Sequence, residues 1–244
     1  MADKLKGQIA LITGGGRGIG YAIATTFSRE GANVVIADIR AEAAAEAANS
    51  LPTRSLGIDM DVSSKSSVTA GFSRVLDELG DLDILVNNAG ILELSTFEDC
   101  DEELWDRTIS VNLKGTFLCS QAAYPILKER RKGTIINLTS LAGKTGGLAA
   151  GPPYGAAKAG VLAMTLALAR GLAPYGVRAN GIAPGIIDTE MTDNPLHAKL
   201  SEQIPLGQKG SAQDVANCAL FLASADSAHI TGEIIDVNGG ILMD

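Results

Sequence analysis

Seven short apolar runs, separated by helical patterns, constrain this chain more than any other feature. They are QIALIT (8–13), NVVIAD (33–38), LGIDM (56–60), LDILVN (82–87), GTIINLTS (133–140), VRANGIA (177–183) and EIIDV (233–237). A strand with one wet face alternates polar and apolar residues, whereas a continuous apolar run is buried on both faces. Between the runs, helical patterns span Gly18 to Glu30, stopped by Gly31, then a stretch from Ala41, then Ser64 to Leu79, stopped by Gly80. Asp101 caps a long helical region that continues, with a break, to Arg131, where Gly133 is the natural stop. Further helices run from Tyr154 to Ala173 and from Ser211 to Ala223, and residues 185–210 read as loop with a short helix near His197–Gln203. Strand–helix alternation with doubly buried strands predicts a parallel sheet covered on both faces. Right-handed crossovers close it as an α/β doubly wound parallel sheet of the Rossmann type, about seven strands in one domain over residues 1–244.

Composition narrows the function classes. The chain has 244 residues, 46% hydrophobic, and a formal charge of −8, so a large core forms and a nucleic-acid partner is disfavoured. The dense basic cluster Lys128, Arg130, Arg131 and Lys132 ends a helix, where it complements the macrodipole. Cys100, Cys119 and Cys218 have no paired spacing and suit a reducing compartment. His197 and His229 are the only histidines and have no ligand-spaced partner, so no metal site is expected. The run IALIT is too short for a signal core, and Val161–Ala169 ends at Arg170, too short to span a bilayer. A soluble cytoplasmic protein with no membrane partner is expected.

TGGGRGIG (13–20) joins the first strand to the first helix. Gly14 permits a sharp turn, and Gly18, Ile19 and Gly20 start the helix where free N–H groups and the dipole favour a pyrophosphate. Arg17 lies in the same loop. The plainer reading is a tight strand–helix turn. Asp38, at the end of the second strand, accepts from both ribose hydroxyls of an adenosine and repels a 2′-phosphate, which points to NAD(H). Its plainer reading is a cap for the helix near Ala41, and Arg17 and Arg40 keep NADP open. Asp61 and Val62 follow the third strand, suited to an adenine edge, and Asn88, Ala89 and Gly90 follow the fourth. All four segments lie at strand C-terminal ends, where such sheets bind ligands.

Ser140 ends the fifth strand on that side, and Tyr154 and Lys158 share one helix face at i and i+4. An ammonium beside a phenol favours phenolate and lowers its pKa, making an acid or base usable near neutrality. Ser140 donates to the same substrate oxygen. A surface helix pair with a snorkelling lysine, and a turn or cap serine, are the plainer alternatives.

With TGGGRGIG, NNAG, Asn112, Ser140, YGAAK and Pro184-Gly185 in order, nearly the whole chain resembles the short-chain dehydrogenase/reductases. The resemblance implies that Tyr154 is the acid/base, that Ser140 positions the carbonyl, and that Lys158 lowers the tyrosine pKa and holds the nicotinamide ribose. It implies that Asn112 supports a water-mediated proton relay to Lys158; the alternative is an amide satisfying helix backbone. Pro184, Gly185, Ile187 and Thr189 resemble the segment that contacts the nicotinamide carboxamide. The loop from Ser140 to Tyr154 is slightly longer than the commonest family spacing.

The expected reaction is hydride transfer between NAD(H) and a secondary alcohol or its ketone, of the alcohol or polyol dehydrogenase type. The competing readings are an NADPH-dependent 3-oxoacyl-[acyl-carrier-protein] reductase, which Lys128–Lys132 would serve as a docking patch, and a non-catalytic nucleotide-binding scaffold. Candidate substrate loops are Leu92–Leu94, Leu141–Ala150 and Ile186–Leu200, with Glu93, His197 and Lys199 as polar anchors. The helix Ala156–Ala173 is apolar almost all round, as expected of one buried on more than one side. A homotetramer is the expectation from the resemblance.

Overall fold

The computed structural model describes residues 3–147 and 149–243. Met1, Ala2 and Asp244 of the expected single domain, and Leu148 of the expected substrate loop, lie outside the described residues.

Among the described residues there are seven strands, β1 (Ile9–Thr13), β2 (Asn33–Asp38), β3 (Ser55–Asp59), β4 (Ile84–Asn87), β5 (Gly133–Leu138), β6 (Val177–Pro184) and β7 (Ile234–Val237). They form one sheet in the order β3-β2-β1-β4-β5-β6-β7, every pairing parallel. The chain builds outward from β1 to β3, then returns past β1 to place β4 on its other side. The crevice between β1 and β4 is the switch point of a doubly wound sheet.

The continuous apolar runs do what double burial requires. Ala10 and Ile12 of β1 enter a core on one face, with Ile23 and Phe27 from α1 (Gly18–Arg29). The Ala-rich α2 (Ala41–Asn49) packs Ala44, Ala47 and Ala48 into the same core. Ile9 and Leu11 enter the opposite core, with Val68, Phe72 and Val75 from α3 (Lys65–Leu79).

The long central helix breaks as expected. Asp101 caps α4 (Glu102–Ile109) by accepting the Leu104 N–H at 2.8 Å. A π-helical turn over Ser110–Lys114 then leads into α5 (Gly115–Arg130). The helix stops at Arg131, left-handed at φ 53°, two residues before the glycine expected to stop it.

Two corrections bear on the site. β5 ends at Leu138, not at residue 140, and Ser140 instead caps a short helix, α6 (Leu141–Thr145), accepting the Ala142 N–H at 3.0 Å. The next helix, α7 (Pro152–Leu172), begins at Pro152 rather than Tyr154, because its two prolines occupy the first turn, where no N–H is needed.

The stretch Pro152–Tyr175 is long and apolar enough to cross a membrane by length and composition, so the length expectation holds only for Val161–Ala169. It packs as a layer helix: Ala157, Val161, Thr165 and Ala169 form one buried stripe at four-residue spacing. Ala163 and Ala167 are exposed, so within the single chain the helix is buried along one side, and the alternative of a helix buried all round in one chain's core does not hold. Two further α-helices follow, α8 (Pro195–Ser201), near its expected place, and α9 (Ala212–Ala223). Ser211 and Asp214 form a reciprocal capping box at the start of α9.

A buried polar chain ties the layers together beneath the crevice. Asn87 Nδ2 donates to Ser120 Oγ at 3.0 Å and to Asn137 Oδ1 at 2.8 Å. Asn137 Nδ2 donates to Thr165 Oγ1, 2.8 Å away on α7. The helix that carries Tyr154 and Lys158 is thereby anchored to the strand that delivers Ser140.

Candidate active site

The glycine loop is pinned from β4. Thr13 Oγ1, at the end of β1, accepts the Asn88 and Ala89 N–H groups, each at 3.0 Å. Asn88 Nδ2 returns bonds to the carbonyls of Thr13 and Gly14, each at 2.9 Å. The fit is close enough that a Cβ on Gly14 would lie 2.8 Å from Ala89 Cα, and one on Gly20 would lie 2.3 Å from the Gly14 oxygen. Gly18 serves differently: its φ of 56° is left-handed and its surroundings are open. The result is a bare cradle at the α1 N-terminus, facing the switch point.

Asp38 does not cap α2; Arg40 holds that position without a side-chain cap bond. Instead Asp38 Oδ2 accepts the Gly16 N–H and Oδ1 the Arg40 N–H, each at 3.1 Å, with the Arg40 guanidinium 3.7 Å away. Each oxygen keeps a further lone pair. Arg17 pairs with Glu190 across the mouth of the cleft.

The chemical group is assembled by helix packing. Gly143 of α6 lies so close to α7 that a Cβ there would sit 2.7 Å from the Lys158 carbonyl carbon. That approach brings Ser140 close enough to Tyr154 for its hydroxyl to act on the phenol. Lys158 is 5% exposed, donates to the Leu138 carbonyl at 2.7 Å, and holds its ammonium 5.7 Å from the Tyr154 ring centre. Asn112, in the π-helical turn, exchanges two 2.8 Å bonds with the Ile91 backbone, so its amide satisfies a loop and not its own helix. A Cβ on Gly90 would lie 3.3 Å from Asn112 Oδ1 and 3.7 Å from Lys158 Nζ, which places both beside that glycine.

Burial pushes the Tyr154 phenol above its ordinary value, and the nearby Ser140 hydroxyl opposes it only in part. The direction is opposite to the expected depression, and desolvation is its largest cause. Burial also pushes Lys158 down to about 8.

One cleft of about 740 Å³ joins these parts. Gly14, Arg17, Gly18, Ile19, Asp38, Asp61, Val62, Asn88, Ala89, Gly90, Ser140, Tyr154, Lys158, Pro184, Gly185, Ile187 and Thr189 all line it. Gly20 and Asn112 stand behind the wall and shape it from there. Sequence reasoning missed Thr13 and its pinning role, since a threonine at a strand end carries no signal of its own. Of the three expected polar anchors only His197 lines the cleft. Glu93 pairs with Arg107, and Lys199 is exposed.

A family model described as enoyl-(acyl carrier protein) reductase matches residues 14–242. The chain is 41% identical, over 98% of its own length and 99% of the other, to an uncharacterized short-chain type dehydrogenase/reductase of Sinorhizobium fredii. The chain belongs to the short-chain dehydrogenase/reductase family. This short-chain dehydrogenase/reductase is also 40% identical to the 3-oxoacyl-[acyl-carrier-protein] reductase of Aquifex aeolicus, over 99% of its length and 100% of the relative's. Its fold matches the crystal structure of a short-chain type dehydrogenase/reductase from Mycobacterium marinum at TM-score 0.94 and 34% identity, covering 100% of this chain and 98% of that one. Membership makes it an oxidoreductase of a family that uses nicotinamide dinucleotides.

The basic cluster lies far from the cleft in this short-chain dehydrogenase/reductase. Lys128, Arg130, Arg131 and Lys132 immediately precede β5, whereas the site follows its other end, roughly 20 Å away at strand rise. Arg130 pairs with Asp81 and Asp83, and Lys128 and Arg131 flank the Tyr175 ring.

Proposed function

We propose that the protein transfers hydride reversibly between NAD(H) and a secondary alcohol or its ketone. The observation that carries this reading is a single cleft holding both the bare glycine cradle and the Ser140, Tyr154 and Lys158 group. The cradle fits a dinucleotide: Gly14, Gly18 and Gly20 keep the α1 N-terminus open for a pyrophosphate, and Asp38 retains acceptor capacity for ribose hydroxyls. When bound, the cofactor supplies the hydride donor or acceptor.

The chain's own residues do the rest. Ser140 donates to the substrate oxygen and steadies its developing charge. Tyr154 gives that oxygen its phenolic proton on reduction and removes it on oxidation. Lys158 holds a positive charge beside the phenol, and Asn112 fixes the loop around Gly90 where a relay water would stand. Pro184, Gly185, Ile187 and Thr189 bound the nicotinamide side; a Cβ on Gly185 would lie 2.9 Å from Asn238 Cα, which fixes that turn.

The second reading, an NADPH-dependent 3-oxoacyl-carrier reductase, is favoured by the likeness to the Aquifex aeolicus enzyme. The basic cluster, its expected docking patch, lies at the other end of β5 from the site. A fluorescence titration separates the readings. NADH is expected to bind at least about tenfold more tightly than NADPH, about 1.4 kcal/mol, and Asp38→Ala to narrow that gap. Tighter NADPH binding would sink the Asp38 argument and put the carrier reductase first.

The exposed apolar side of α7, with Trp105 and Phe117 exposed on α4 and α5, favours assembly as a cytoplasmic homotetramer. Light scattering is expected to return about four times the 25.1 kDa chain mass; a monomeric mass would contradict this.

A further inference from the structure

His197 is the one expected polar anchor that the fold brings to the cleft wall. It is 6% exposed and sits on α8, above the apolar substrate side formed by Leu141, Ala150, Ile186, Met191 and Leu200. Its ring orientation is set by Asn194. Asn194 Oδ1 accepts the His197 backbone N–H at 3.1 Å, so the amide oxygen, not the NH₂ group, faces the ring. His197 Nδ1 lies 2.9 Å from that same oxygen. Two acceptors do not bond each other, so Nδ1 carries the proton and Nε2 keeps a bare lone pair. Among the described residues no protein group bonds Nε2, and Nε2 is not one of the enclosed unpartnered atoms, so it opens to the cleft. Burial and the nearby Lys209 charge both disfavour the imidazolium.

The nearby hydroxyls do not compete for this role. Thr192 donates to the Ile187 carbonyl and Thr145 to the Leu141 carbonyl, so both protons are committed to backbone. Ser140 and Tyr154 belong to the reacting oxygen. An open acceptor beside apolar side chains costs binding free energy to any ligand that covers it without donating to it.

We infer that His197 Nε2 is a specificity-determining acceptor, and that the substrate is an alcohol or ketone carrying a second hydroxyl or N–H donor away from its reacting carbon. A carboxylate or carbonyl at that place would meet a lone pair and be rejected. This rests on the carbonyl-reducing function proposed above and adds the substrate class to it.

The test uses the full-length protein with NADH and short ω-hydroxy-2-alkanones of graded length, each against the 2-alkanone of the same length. At least one hydroxy ketone is expected to show a KM roughly three- to tenfold below its partner, with kcat nearly unchanged. His197→Leu is expected to erase that preference without raising KM for the plain ketone. His197→Gln, which keeps an acceptor near the Nε2 position, is expected to restore part of it. A preference that survives in His197→Leu, or plain ketones favoured throughout by the unaltered protein, would overturn the inference while leaving carbonyl reduction intact. If NADH binds but no ketone is reduced, the reaction itself is misassigned, and ¹⁵N-histidine NMR then decides the role of His197. The chain has two histidines, so the spectrum shows two rings, assigned with His197→Gln. The Nδ1–H tautomer is expected, with Nε2 shifting on addition of 5-hydroxy-2-pentanone and not of 2-pentanone. An Nε2–H tautomer, or no selective shift, would overturn the proposal.

Discussion

Replacing Tyr154 with phenylalanine is expected to lower kcat by roughly 10²–10⁴-fold in both directions, with NADH affinity changed only a few-fold. The ring stays and only the phenolic oxygen goes, so the packing of α7 on β5 and β6 is retained. What is lost is the one proton donor that Ser140 and Lys158 are arranged around. The direction of the pKa shifts adds a second readout. Burial holds the phenol above its ordinary value, so at neutral pH Tyr154 stands protonated and ready to reduce a ketone. Oxidation needs the deprotonated form. Alcohol oxidation is therefore expected to rise with pH through the alkaline range while ketone reduction falls. Steady-state kinetics of the variant, and pH profiles of the unaltered protein in both directions, check this. Full activity in Tyr154→Phe would remove the residue from the chemistry.

Gly20→Val is expected to weaken NADH binding by about 100-fold or more, equivalent to about 3 kcal/mol. The first atom added would stand 2.3 Å from the Gly14 oxygen and 2.5 Å from Asn88 Nδ2. Both are parts of the cradle itself, held by the Thr13–Asn88 bonds, so the loop must open to admit the side chain. Some loss of thermal stability accompanies this, because α1 packs Ile23 and Phe27 into the core. Gly7→Ala is the control. Gly7 has a φ of 71° but nothing within 4 Å of its would-be Cβ, and it lies away from the cleft. It is expected to lower Tm with NADH affinity unchanged. Calorimetric titration and thermal melts of the two variants separate the effects.

The sheet was legible because its strands are buried on both faces, and short continuous apolar runs between helical patterns fit little else. The glycine loop, Asp38 and the Tyr154–Lys158 pair were legible from their order along such strands. Other features depend on packing that no local pattern records. Helix α6 is five residues long, too short for a periodic signal, so cap and oxygen donor read as alternative roles for Ser140. In the fold Ser140 accepts the Ala142 N–H and also stands close to the Tyr154 phenol. The sign of the Tyr154 shift was not legible, because a lysine four residues away is visible in sequence while desolvation is not. The apolar character of α7 was plain, but only the fold shows that one stripe faces the core and another faces outward. His197 is one of three polar candidates in the sequence, and only the fold leaves it alone on the cleft wall.

The central claim is that one cleft passes hydride between a nicotinamide and a carbonyl carbon while Tyr154 handles the proton. Its most direct test is reduction of a ketone with NADH deuterated at the nicotinamide C4, followed by mass spectrometry of the alcohol. One deuterium on the carbinol carbon, from one face of the nicotinamide only and formed roughly 10²–10⁴-fold more slowly with Tyr154→Phe, is the expected result. An alcohol without deuterium, or label transfer undiminished in Tyr154→Phe, would contradict the account.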